Sequence, residues 1–323
     1  MAQAFPTVAT PLGRRHRRGL EEFSVSPCFS GRFSVTRVPT LGLVVVGYQS
    51  GAEWEPFFRS LKESLCVPGH VVIVDNSPLA TDEFSRALWD EVQVIRLPDN
   101  PGYGSAVNAG VSLLPTEVTH LVVSNPDIRF TTDTLANLKD ALTTFPDTAT
   151  AGPALENPDG SIYPSARAIP GLRIGIGHAL FGNVWPRNPW TRKYLGDYRK
   201  TERRPVGWLS GAIFMVNRQY FEQVGGFDQR YFMFFEDVDL CYRFKKAGYR
   251  SVYVPDARAL HEGGHSTRWR MAEMVKAHHK SAVLFLKSLY PHWYLGPLRM
   301  ILTIGLNTRS ALQQAKYRYR EKS

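Results

Sequence analysis

Short apolar runs alternating with helical periodicity constrain this chain more than any other feature. Leu41–Gly47 (LGLVVVG), Val71–Val74, Val92–Leu97 and His120–Ser124 are brief and rich in β-branched residues. Such runs suit strands buried on both faces of a parallel sheet. Between them, Trp54, Phe57, Phe58, Leu61 and Leu65 recur at helical spacing, and Tyr103 to Leu114 reads as a second helix. Strand–helix alternation predicts an α/β fold with helices on both faces of a sheet. Ligands of such sheets bind beyond the carboxyl ends of the strands. Two runs end there on polar residues, Asp75-Asn76-Ser77 and Asn125-Pro126-Asp127.

After Ala151 the pattern changes. Asn157-Pro158-Asp159-Gly160 is a turn signal, and Pro170 to Arg204 is rich in Gly, Pro and Trp, predicting a long loop with little regular structure. Trp208–Val216 reads as one strand, Glu236–Ala247 as a helix, Ser251–Val254 as a strand, and the chain from Trp269 as helical. Thr131 to Phe145 also reads as a helix.

Charge narrows the function classes. The net charge is +10, but residues 1–38 hold 6 basic and 2 acidic side chains, and residues 266–323 hold 11 and 2. The 227 residues between them carry 22 basic and 25 acidic groups, a net −3. A core that reads nucleic acid should be basic, so nucleic acid is not the expected partner. Cys28, Cys66 and Cys241 lack metal or redox spacing, which predicts a reduced, cytoplasmic chain. No run of about 18 uninterrupted apolar residues exists, so a spanning helix is not expected. Residues 1–38 read as a mobile basic arm without the apolar core of a secretory signal.

Several groups can carry chemistry. Asp75 can bond a base or ribose, or only close an Asx turn. Asp127 can share a divalent cation with substrate phosphates, or cap the helix that follows. Asn100 to Gly110 is a glycine-rich turn opening a helix, suited to close nucleotide approach but lacking a dinucleotide or Walker fingerprint. Glu236, Asp237 and Asp239 follow the aromatic run Tyr231–Phe235. Crowding and desolvation raise carboxylate pKa values, which favours a general base, although helix acids also satisfy an N-terminus. His261 and His265 lie in HEGGHS.

In order and spacing, VVVGYQS, VVIVDNS, NPGYGSAVNAG, SNPD, GWLSGA, GGFDQRYFMFFEDVDLCYR and HEGGHS resemble family 2 of the GT-A glycosyltransferases over about residues 39–265. SNPD stands where the family usually has Asp-x-Asp, so Asn125 replaces the first Asp and Asp127 carries the metal contact. DGSIYPSAR, WPRNPWT, RPVGWLSGA, FDQRYFMFFEDVDL and AHHKS further resemble the actinobacterial rhamnosyltransferases of cell-wall linker synthesis.

The resemblance implies a Rossmann-like nucleotide-sugar half (39–150) with a mixed central sheet, an acceptor half (151–265) and a helical extension (266–323). It implies inverting transfer of L-rhamnose from dTDP-β-L-rhamnose to decaprenyl-diphospho-GlcNAc. Asp237 would be the base, supported by Glu236. Tyr48, Asp75, Asn76, Gly102, Gly104, Asn108 and Asn125 would line the nucleotide site. Asp127 and His261 would hold Mg2+ or Mn2+. Trp208, Gly211, Trp185 and Trp190 would shape the acceptor site, with core packing an equal reading for Trp208. The alternatives are another donor, UDP-galactofuranose or UDP-GlcNAc, or a non-catalytic nucleotide-sugar or lipid-binding module.

The basic end suits a lipid-linked acceptor. Lys276, Lys280 and Lys287 share one helical stripe, and Met271, Met274, Val275, Ala282, Phe285, Leu286 and Leu289 centre opposite. An apolar stretch from Leu295 to Leu306 and further cations follow. This arrangement predicts peripheral attachment to the inner face of the membrane, or packing of the first helix on the core. Homo-oligomerisation stays open.

Overall fold

The computed structural model describes residues 36–78, 92–145, 147–182, 184–196, 201–263 and 271–322. Cys28, His265, Trp269 and the expected arm up to residue 35 lie outside them.

The elements run β1 (Thr36–Gly47), α1 (Trp54–Lys62), β2 (Cys66–Asp75), β3 (Val92–Arg96), α2 (Tyr103–Ser112), β4 (His120–Ser124), β5 (Ile128–Phe130), α3 (Thr134–Thr144) and β6 (Thr148–Glu156). Next come β7 (Ile162–Tyr163), β8 (Ala166–Arg167), α4 (Leu172–Phe181), α5 (Pro189–Leu195), β9 (Arg204–Val206), β10 (Trp208–Leu209), β11 (Ile213–Asn217) and α6 (Arg218–Gln223). The last are α7 (Glu236–Lys246), β12 (Arg250–His261), α8 (Met271–Leu289) and α9 (Gly296–Lys322).

The main sheet has the order β3-β2-β1-β4-β11-β6-β12-β5, with β7 beside β6 and β9 beside β12. It is mixed. β1 is parallel to β2 and β4, whereas β11 is antiparallel to β4 and β6. The chain leaves β1 toward β2 and β3, then returns to place β4 on the other side of β1. That reversal opens a crevice at the carboxyl ends of β1 and β4. Alternate side chains of β1 serve the two faces. Leu41, Leu43 and Val45 pack with Phe57, Leu61, Leu135 and Leu138 of α1 and α3. Val44 and Val46 pack with Ala106, Val107, Leu240 and Phe244 of α2 and α7.

Three expectations need correction. The stretch 170–204 is not a long loop, because α4 and α5 form a helical hairpin within it. Its glycines allow close packing. A Cβ on Gly177 would lie 2.2 Å from the Trp190 ring. The α5 start is closed by Asn188, whose Oδ1 accepts the Thr191 N–H at 2.8 Å. The run 208–216 is not one strand, since β10 pairs with β8 and β11 joins the main sheet. The carboxyl-terminal helix is broken near Pro291, between α8 and α9.

α8 packs on the core. Phe285 is buried with Trp208, Tyr231, Val238 and Cys241, and Ser281 Oγ donates to the Met233 carbonyl at 2.8 Å. Lys276, Lys280 and Lys287 face outward, so the first basic helix takes the packing alternative. Cys66 and Cys241 are buried and unbridged, and burial raises both thiol pKa values.

Candidate active site

Asp75 ends β2, and Tyr48 and Asn125 to Asp127 directly follow the carboxyl ends of β1 and β4 at the crevice. Asp75 is buried. Its Oδ1 accepts from the Ser77 N–H at 2.8 Å, and its Oδ2 from Arg96 Nε at 3.1 Å. The Asx turn therefore forms and leaves the carboxylate ionically engaged as well. Arg96 had no signal in the sequence, because only strand register brings β3 beside β2. Asn76 is buried beside it with Oδ1 unpartnered, as an atom awaiting a ligand donor would be. Ser50 and Ser77 hold the Tyr48 turn, accepting from the N–H groups of Tyr48 and Gln49 at 3.0 and 2.8 Å.

Asp127 does not cap a helix, because β5 intervenes and α3 begins only at Thr134. Pairing of β5 with β12 sets His261 opposite Ile128, and His261 Nε2 lies 3.4 Å from Asp127 Oδ2. Asp127 Oδ1 is buried with no hydrogen-bond partner. Behind them, Arg129 binds Glu53, Glu262 and the Pro126 carbonyl, locking this turn to the end of β12. The orphan oxygen and adjacent imidazole fit a hard cation that takes its remaining ligands from water and phosphate. Among the described residues no group of three such side chains converges.

The acidic cluster resolves into three environments. Asp239 is buried and ion-paired to Arg243 at 2.7 Å. Asp237 is half-buried. Its Oδ2 accepts the Gly211 N–H at 2.9 Å and its Oδ1 the Val238 N–H at 2.8 Å. Burial raises its pKa, opposed by those N–H groups and by the charge of Arg167. Glu236 is buried with Oε2 unpartnered, and burial together with the Asp237 charge pushes it up to about 8. At neutral pH the pair therefore favours a proton on Glu236.

Backbone strain supports this corner. Phe234 and Phe235 both have φ of 65°, a region that costs a bulky residue about 1–3 kcal/mol. The ring of His278 on α8 packs against both, at 5.5 and 5.2 Å, next to the Ser281 bond to Met233.

Gly102 has φ of 98°, and a Cβ there would lie 2.3 Å from the Phe232 carbonyl oxygen. The glycine-rich turn is thus pressed against the segment leading to Glu236. Gly104 packs on Phe227, and Asn108 bonds both the Phe227 carbonyl and N–H, at 2.8 and 2.9 Å. Tyr103, which sequence reasoning passed over, donates its hydroxyl to the Gly211 carbonyl at 2.7 Å. Burial, then the charges of Glu236, Asp237 and Asp127, raise its pKa, so its hydroxyl feels all three carboxylates. A tyrosine inside a glycine-rich turn was the available signal.

Trp208 is buried and donates Nε1 to the Ala168 carbonyl at 3.1 Å, a core position with one face toward Arg167. Trp190 stacks on Phe181 inside the α4–α5 hairpin, and Trp185 is exposed at its turn.

Residues 44–225 match the family described as "Glycosyl transferase family 2", and residues 194–283 match "Glycosyltransferase like family 2". The chain belongs to glycosyltransferase family 2. Among its family relatives is the N-acetylglucosaminyl-diphospho-decaprenol L-rhamnosyltransferase of Mycobacterium tuberculosis, 41% identical over 282 residues, 84% of this chain and 92% of the relative. Rhamnosyltransferase WbbL of Escherichia coli is 41% identical over 81 residues, 25% of this chain and 31% of its own. In fold the chain resembles a mannosyltransferase from Pyrobaculum calidifontis in complex with GDP-Man and Mn2+ (TM-score 0.52, 16% identity, 86% of this chain and 73% of that one). It also resembles GalNAc-T7 with UDP, GalNAc and Mn2+ (TM-score 0.50, 16% identity, 70% of this chain and 44% of that one). This family 2 glycosyltransferase therefore has the α/β architecture its motifs imply.

Proposed function

We propose that the chain transfers L-rhamnose, with inversion, from dTDP-β-L-rhamnose to decaprenyl-diphospho-GlcNAc. The product would be the α-1,3-linked disaccharide that joins arabinogalactan to peptidoglycan. Identity of 41% over 92% of a relative named for that lipid-linked acceptor carries the reading. On this reading the catalytic domain spans 39–265 and 266–323 is an extension.

Asp237 is the general base. Gly211 and Val238 N–H groups aim its carboxylate, and burial keeps its basicity above that of an exposed aspartate. It takes the proton of the attacking GlcNAc hydroxyl, a contribution of about 10²–10⁴-fold. Glu236, protonated beside it, keeps a second charge out of the site. One base with no enzyme nucleophile gives single displacement, hence inversion. Asp127 and His261 would hold Mg2+ or Mn2+, which would supply Lewis-acid stabilisation to the leaving diphosphate. Asp75 and Asn76, with the Tyr48 and Gly102–Asn108 turns and Asn125, bound the nucleotide pocket, and Trp208, Gly211, Trp185 and Trp190 border the acceptor side.

No described helix is long and apolar enough to cross a membrane. Trp293 (86% exposed) and Tyr294 just before α9, with Met300, Ile301 (64%) and Ile304 in its first turns, nevertheless present apolar surface, and the sequence that follows is rich in Lys and Arg. Aromatic and aliphatic side chains beside cations suit the interface of an anionic membrane. The enzyme would work there, at the cytoplasmic face, where the lipid-linked acceptor is presented. A Trp293→Ala/Ile301→Glu variant should then lose sedimentation with anionic vesicles; full retention would place the docking surface elsewhere.

The deciding experiment offers lipid-linked GlcNAc and a panel of nucleotide sugars with Mg2+ or Mn2+. Transfer from dTDP-rhamnose alone is expected. Transfer only from UDP-galactofuranose or UDP-GlcNAc would overturn the donor assignment, and none from any donor would favour a binding module.

A further inference from the structure

A cavity of about 570 Å³ lies on the side of α7 away from the nucleotide half. Its walls come from β8, α4, α5, β9, α7 and the start of β12, and among the described residues none before Ala166 contributes. Arg167, Lys193, Arg204, Lys245 and Arg250 line it, and no carboxylate does among the described residues. A cleft lined by one sign of charge concentrates anions of the other.

Arg167 joins this cavity to the acid pair. The β8–β10 pairing sets Arg167 opposite Trp208, three residues before the Gly211 N–H that holds Asp237. Its guanidinium lies 5.0 Å from the Trp208 ring centre, 5.4 Å from Tyr163 and 5.8 Å from Tyr194. Its hydrogen bonds go to neutral groups, the Pro164 carbonyl at 2.7 Å and the Tyr163 hydroxyl at 3.0 Å. Among the described residues the charge of Asp237 reaches it without a hydrogen bond, so a cation held rigidly among rings keeps guanidinium donors for a further anion beside Asp237. Spacing on α7 points the same way. Asp237, Cys241 and Lys245 recur every four residues on one face, and the last two line the cavity. A hexose spans about 5 Å from its 3-hydroxyl to its anomeric oxygen, close to one helical turn. A sugar whose hydroxyl meets Asp237 can therefore deliver its anomeric phosphate to the Arg167 end.

We propose that this cavity binds the diphosphate of a polyprenyl-diphosphate-linked acceptor, with Arg167 as the inner contact and Lys193 and Lys245 as outer ones. The assignment rests on the reading of the chain as a transferase to such an acceptor, and it adds where the diphosphate sits.

The test uses the full chain with Mg2+ and saturating dTDP, so that the nucleotide site is filled. Farnesyl diphosphate is titrated as the probe, with farnesol and inorganic pyrophosphate as comparison arms. Wild type should bind farnesyl diphosphate and pyrophosphate but not farnesol. The exposed double variant Lys193→Glu/Lys245→Glu should bind both anions about tenfold more weakly. In transfer assays the same variant should raise KM for a lipid-diphosphate GlcNAc acceptor while leaving KM for octyl β-GlcNAc unchanged. Equal affinity of wild type and variant for farnesyl diphosphate would overturn the site, even if transfer proceeds. Charge-dependent binding with no transfer to either acceptor would instead overturn the functional reading and leave the anion site standing.

Discussion

Asp237 and Gly211 are tied by a 2.9 Å bond from the Gly211 N–H to Oδ2, and the carbonyl of the same glycine accepts the Tyr103 hydroxyl at 2.7 Å. One peptide residue between β10 and β11 thus links the acid pair to the glycine-rich turn. The break in what reads as one continuous strand is where that link forms.

Asp237→Asn keeps the shape and one of the two backbone N–H contacts but removes the base. The expected result is a fall in kcat of about 10²–10⁴-fold with dTDP affinity unchanged. Parallel loss of nucleotide binding would show that Asp237 acts on the donor instead.

Glu236 couples stability to pH. Its folded pKa near 8 stands above the ordinary 4.5, so between those values the folded chain holds a proton that the unfolded chain has lost. Its contribution is therefore complete below pH 4.5 and declines as pH rises to about 8. Glu236→Gln removes this dependence, so the Tm of the variant relative to wild type should increase from pH 5 to 9. A constant difference would mean that Glu236 is already ionised in the fold.

Gly102→Ala meets the Phe232 carbonyl at 2.3 Å in a positive-φ conformation. It should cost about 1–3 kcal/mol by denaturant melts and lower kcat, because the displaced segment leads into Glu236. Gly160→Ala is the control, sharing positive φ at 77° with nothing within 4 Å of the added carbon. Equal losses of activity would show that the contact with Phe232 does not act on the base.

Ser281→Ala breaks the bond from α8 to the Met233 carbonyl beside the strained Phe234-Phe235 pair. About 1 kcal/mol of stability should be lost. kcat should fall more than either substrate KM rises, since the loop orients the base. An unchanged kcat would make α8 a passive cover.

Strand–helix alternation, the carboxylates at strand ends and the acidic cluster were all legible in sequence, because local pattern dictates them. The α4–α5 hairpin was not. Its glycines read as turn signals, yet Gly177 is small so that the Trp190 ring can approach. The contacts of Arg96 with Asp75, His261 with Asp127 and Arg167 with Trp208 were likewise hidden, since each spans separate strands brought together by register.

Order and spacing of motifs by themselves determined the family and the candidate base, because chemistry demands particular residue types beside particular turns. Only the tertiary structure separated the environments of the three carboxylates. Asp239 turns to Arg243, Glu236 is buried with an unpartnered oxygen, and Asp237 meets the Gly211 N–H. Ionisation depends on burial and on neighbours from distant segments, and neither is written in the local sequence.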